Sequence, residues 1–147
     1  MKRLFVDSNI LLDAVLQRQH DPEDALDLLA LGEQRKVALV TTALSIGVVL
    51  YTLQPGDASK KGPRLQAARR TLTDLLVCLT IVPVEAQHFM QSAASTFGDL
   101  EVGAQYFAAS ANGALDGIVT RDKDFKGHVS VPIYSARQAL TLIRRTA

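Results

Sequence analysis

Cysteine is nearly absent: the 147 residues hold one, Cys78. No disulfide can form within the chain, which suits a reducing compartment and makes the cytoplasm the expected location. Cys78 lies in the apolar run Leu75-Leu76-Val77-Cys78-Leu79 and reads as a buried structural thiol. Net charge is scarce too, at +1, so any case for nucleic acid rests on local patches. His20, His88 and His128 show no metal-ligand spacing. Charge is missing from Val37 to Gly56, over about the length of a membrane span. Thr41, Thr42, Ser45, Thr52 and Gln54 interrupt that stretch, and it divides into a strand and a helix, so no membrane span is expected. Lys2 and Arg3 ahead of apolar residues imitate a signal peptide, but Asp7, Asn9 and Asp13 break the run and no clean cleavage site follows. There is no repeat, low-complexity tract or composition shift, so residues 1–147 read as one domain, long enough to bury a core.

What is present is an alternation of strands and helices. Strands are expected at Arg3 to Val6, Val37 to Val40, Thr80 to Val84, Gly117 to Thr120 and Val131 to Tyr134. Pro83 marks the third as an edge or an early end. Helices are expected at about Asn9 to Leu16, after the cap Asp21-Pro22, at Ala43 to Leu53, along the stripe Leu65, Ala68, Leu72, Leu75 and Leu76, at Glu85 to Ser95, from Asp99 to Ala111, and after Ser135. The Ala43 to Leu53 helix is apolar nearly all round and should be central. The alternation predicts an α/β fold, a parallel sheet of about five strands with helices on both faces.

Two strand tips carry the chemistry. Asp7 ends the first strand, and Arg121-Asp122-Lys123-Asp124-Phe125 follows the fourth. Open α/β sheets bind ligands at the carboxyl ends of their strands. If these strands are parallel neighbours, Asp7 and Asp122 converge into a divalent-metal site, since hard cations want oxygen ligands. Asp7 could also serve simply as a helix cap, and Asp122 as a turn residue.

Val6-Asp7-Ser8-Asn9-Ile10-Leu11-Leu12-Asp13 and Ile118-Val119-Thr120-Arg121-Asp122-Lys123-Asp124-Phe125, in this order and at this distance, resemble the PIN domain. Gln105 to Ala111 and Val131-Pro132-Ile133-Tyr134-Ser135 fit the same pattern. The resemblance implies a three-layer α/β sandwich and a magnesium- or manganese-dependent ribonuclease. It further implies kinship with VapC-type toxins, which pair with an antitoxin and form homodimers. On it, Asp7 and Asp122 are the catalytic acids and metal ligands, with Asp124, Asp99 and Glu101 as further candidate ligands. Asn9 and Thr120 would orient them.

The chain departs from that pattern at two acid positions. Val48 stands where the helix after the second strand usually carries an acid. Val102, or Gly103 on the alternative count, stands where the helix before the late strand does. Valine cannot ligate a metal, so weak metal binding and weakened activity are expected. The alternative is a catalytically degenerate PIN-like module that binds RNA or a protein partner. A receiver-like phosphorylation domain lacks its acidic pair. Arg121, Lys123 and the cluster Lys60, Lys61, Arg64, Arg69 and Arg70 are the candidate RNA contacts, because phosphate contacts dominate nucleic-acid affinity.

Overall fold

The computed structural model of the chain describes residues 1–17 and 22–146, with backbone alone at 58 and 59. Five parallel strands, β1 Arg3–Val6, β2 Ala38–Thr42, β3 Thr80–Val82, β4 Gly117–Val119 and β5 Ile133–Tyr134, form one sheet in the order β3-β2-β1-β4-β5. Pro83 follows β3 directly, and β3 is an edge strand, as a residue without an amide hydrogen requires. Strand β2 runs two residues past its expected end, because Thr41 and Thr42 are buried and pair with Ile81 and Val82.

Alternate side chains of the sheet feed two cores, as the two-residue period of a strand dictates. Leu4, Val6, Leu39 and Val119 pack with helices α1 (Ser8–Leu16), α2 (Pro22–Glu33), α3 (Ala43–Leu53), α4 (Gly62–Cys78) and α7 (Ala136–Thr146). Phe5, Val40 and Ile118 point the other way and meet Phe97, Phe125, and Val102 and Ala109 of α6 (Leu100–Ala111). Helix α5 (Ala86–Ala93) packs on α6. This is the three-layer sandwich expected. Among the described residues no helix is long and apolar enough to cross a membrane.

Several expectations change. Helix α3 is not central. It buries Ser45, Ile46 and Val49 against the core but leaves Tyr51 and Val48 exposed, so its apolar character extends beyond the face the fold uses. Cys78 is half-buried rather than internal, because it ends α4 and its thiol turns back to the Asp74 carbonyl at 3.2 Å. Leu76, assigned to the buried stripe, is exposed. Helix α5 turns His88 and Ser92 inward and leaves Phe89 and Met90 outward. Its first turn closes through the His88 ring, whose Nδ1 accepts the Glu85 amide at 2.9 Å. The cap Asp21 and His20 lie outside the described residues.

Glycine is required at two closely packed positions, one in the sheet and one on α6. A Cβ at Gly117 would strike the Tyr134 ring, so β4 can lie against β5 only without a side chain there. A Cβ at Gly103 would meet the Ser92 hydroxyl and Phe97. Position 103 therefore has no room for a side chain in this chain.

Candidate functional site

Strands β1 and β4 are parallel neighbours, with Val6 paired to Val119. The residues after both therefore emerge at the same sheet edge, and the Asp7 amide continues the ladder to the Val119 carbonyl at 3.0 Å. Asp7 is the N-cap of α1. Its Oδ1 accepts the Ser8 amide at 2.7 Å, which satisfies a donor that the first helical turn leaves open. The candidate site carboxylate is thus also a helix cap.

Thr120 ties the two tips together. Its hydroxyl donates to Asp7 Oδ2 at 2.8 Å and accepts the Asp122 amide at 2.9 Å. Asn9 Nδ2 donates to Asp7 Oδ2 at 3.1 Å and to Thr120 Oγ1 at 3.3 Å, while Asn9 Oδ1 accepts the Arg121 amide at 3.2 Å. Asn9 and Thr120 thus both hydrogen-bond the Asp7 carboxylate. Asp122 Oδ1 caps the short 3₁₀ turn Lys123–Phe125 through the Asp124 amide at 2.8 Å.

Asp7 is 5% exposed. Burial pushes its carboxyl above the ordinary carboxylate value; hydrogen bonds from Thr120 and Ser8 oppose this, and the charge of Asp122 adds to it. The sign of the pH effect follows. The native state holds the Asp7 proton more tightly than the unfolded chain does, so this group favours folding at low pH. That contribution is lost as pH rises from about 4, the unfolded carboxyl value, through the higher native one. Urea unfolding in EDTA should show Asp7→Asn gaining stability relative to the native chain as pH rises through this window, because asparagine still caps α1. A constant difference across pH would mean that the buried charge carries no cost.

The remaining candidate ligands spread outward. Asp124 is exposed, and its carboxyl is raised chiefly by the charge of Asp122, with Asp99 contributing. Asp99 caps α6, accepting the Glu101 and Val102 amides at 3.0 and 3.1 Å, and Glu101 is exposed on the first turn. Among the described residues no group of three or more acidic, histidine or cysteine side chains is close enough to share a metal ion. What remains is the Asp7–Asp122 pair. Two carboxylates with the rest of the shell as water are a donor set that magnesium accepts, so these residues fit a hard divalent cation.

Two features went unread in the sequence. Arg121 turns inward and forks onto Asp13, Nε and NH2 each 2.9 Å from a carboxylate oxygen. Asp13 is 1% exposed, and an acid between Leu12 and Ala14 on a core-facing helix was the available signal, since buried charges are paired. The guanidinium of Arg121 is thus directed to the fold rather than outward to phosphate. The second feature is a buried polar cluster. Gln105 Oε1 accepts the Thr42 hydroxyl at 2.8 Å and the Ser45 hydroxyl at 2.6 Å, locking α6 to the start of α3. Lys123 is exposed beside Asp122. Lys61, Arg64, Arg69 and Arg70 are exposed on and before the first half of α4, while Lys60 is paired with Asp57 at 3.0 Å.

Comparison with known proteins places this geometry. The PIN domain family model matches residues 3–124. A chain of VapBC2 from Rickettsia felis, bound to a DNA fragment from their promoter, superposes with a TM-score of 0.62 at 16% identity, covering 90% of this chain and 98% of that one. A chain of a toxin-antitoxin complex from Klebsiella pneumoniae gives 0.61 at 17% identity, covering 90% and 97%. One of FitAcB from Neisseria gonorrhoeae gives 0.60 at 14%, covering 91% and 98%. No curated protein matches the chain in sequence.

Proposed function

From the chain's membership of the PIN domain family, we propose that it is a metal-assisted ribonuclease of the VapC toxin type, cutting RNA phosphodiesters at the edge where Asp7 and Asp122 meet. The observation that carries this reading is the Thr120 hydroxyl joined to both, to the Asp7 carboxylate and to the Asp122 amide. A magnesium or manganese ion held by Asp7 and Asp122 would supply a polarised phosphoryl oxygen and an activated water. The chain's own residues prepare that site. Ser8, Asn9 and Thr120 hold both oxygens of Asp7 through hydrogen bonds, so the carboxylate does not rotate. Exposed Lys123 sets a positive charge beside Asp122 for a substrate phosphate. Arg121 anchors the tip of β4 to α1 through Asp13. With Val48 and Val102 in two usual acid positions, the ion has few anionic ligands, which supports slow turnover and weak metal affinity. The same vacancy favours the second reading, a non-catalytic module that binds RNA or protein.

An antitoxin-like partner and a second copy of the chain are the proposed protein contacts. Leu26 borders a cleft of about 380 Å³ between α1, α2 and α4, and Phe89, Met90 and Leu100 are exposed on the packed pair α5 and α6. These apolar surfaces suit protein contact.

Cleavage of a fluorescent, unstructured RNA in manganese tests the reading. The native chain should cleave, Asp7→Asn and Asp122→Asn should not, and Thr120→Val should lose about 10- to 100-fold through misorientation of the acids. Equal cleavage by native and Asp7→Asn would locate the activity elsewhere. No cleavage, with RNA binding intact, would select the non-catalytic module.

A further inference from the structure

The site does not end at the acids. Beyond Asp122 lies a cleft of about 390 Å³ that Thr120 and Asp122 help to line. Two exposed lysines, Lys123 and Lys126, supply its charge, and Val129, Val131 and Ile133 supply an apolar wall. These three are half-buried, packed on the aromatic core from one side and open on the other. Neither lysine is ion-paired among the described residues, where the cations in salt bridges are Lys60, Arg121 and Arg137. Arg121 also lines the cleft, but its guanidinium faces Asp13.

We infer that this cleft holds one nucleotide of a single-stranded RNA, next to the phosphate at Asp122, with its backbone phosphate on Lys123 and Lys126 and its base against Val129, Val131 and Ile133. The inference rests on the ribonuclease reading above and names the substrate part that reading leaves open. Cations beside an apolar wall match the two halves of a nucleotide. The volume falls near the lower end for small-molecule sites, which suits one nucleotide rather than several. A base can reach such a wall only when it is unpaired and unstacked, so duplex RNA is excluded. The wall offers aliphatic groups rather than donors and acceptors, so it should accept any base, with contact area in place of an edge code.

The test is binding, measured in EDTA so that nothing is cut. Fluorescence polarisation would follow an unstructured oligoribonucleotide and a series in which one nucleotide at a time is abasic. One abasic position should weaken binding to the native chain several-fold, and Val131→Ser should abolish that position dependence. Lys126→Ala, at an exposed site, should reduce the slope of log affinity against log salt by about 0.7, one phosphate on a single strand. Circular dichroism would check that both variants fold. If the native chain binds RNA and neither variant changes the profile, the cleft is not a nucleotide site, while the ribonuclease reading stands. If the native chain neither binds nor cleaves RNA, both fall together. Competition by a glutamate peptide of equal charge that Lys126→Ala also abolishes would make the cleft a seat for acidic peptide and overturn the assignment.

Discussion

Arg121→Ala should cost the fold about 3 kcal/mol, near the lower end for breaking a buried ion pair because Arg121 is itself partly exposed. For a domain of this size that is a fall in melting temperature on the order of 10 °C. The cost comes from the lost fork. Asp13, on α1, is almost fully buried and loses a two-pronged partner, each prong 2.9 Å long. Lysine should restore little, since an ammonium cannot reproduce the planar fork. Asp13→Leu combined with Arg121→Met should recover most of the loss, because apolar side chains remove both the charge and its need. Chemical denaturation of the three variants decides the matter. A loss below about 1 kcal/mol in Arg121→Ala, the level of an exposed pair, would show that Asp13 is satisfied without it.

Placing acids at Val48 and Val102, the positions where the resemblance implies them, should trade stability for chemistry. Val102 is 7% exposed and packs among Phe5, Phe97 and Phe125, so Val102→Asp puts an ionised group into an apolar cluster. Val48 is 37% exposed, and Val48→Glu should be tolerated. The double variant should lose about 3 kcal/mol without metal, mostly through position 102. It should recover part of this in manganese, because an ion bound by the native state alone stabilises it, by about 2.7 kcal/mol at one hundred times the dissociation constant. RNA cleavage should rise above the native level, and adding Asp7→Asn should remove the gain. Calorimetric titration and the fluorescent RNA assay measure both halves. Tight manganese binding and fast cleavage by the native chain would mean that the valines are not vacancies.

The fold was legible because it depends on alternation. Strand positions, caps such as Asp99 and Ser135, and the edge placement of β3 all follow from local chemistry that a sequence displays. So does the convergence of Asp7 and Asp122 once the strands are taken as neighbours. The orientation of individual side chains was less legible. Nothing local distinguishes Arg121, which turns inward to Asp13, from Lys123, which stays exposed two residues later. The exposed face of α3 misled for a related reason. Tyr51, Phe89 and Met90 are apolar residues that this chain's own core does not use, and apolar periodicity cannot say what covers a face. That Gly103 has no room for a side chain depends on Ser92, which sits on another helix.

The tie between Thr120 and Asp7 spans 113 residues of sequence, and that distance acts as a delay during synthesis. At about 5–20 residues per second, the β1 tip is made on the order of ten seconds before its partner on β4. Once β2 is made, α1 and β2 can pack beside β1, but the edge that joins Asp7 to Asp122 still has only one side. On the proposed reading, a site built on these two tips would stay incomplete while most of the chain is being translated, until the late strand emerges and docks.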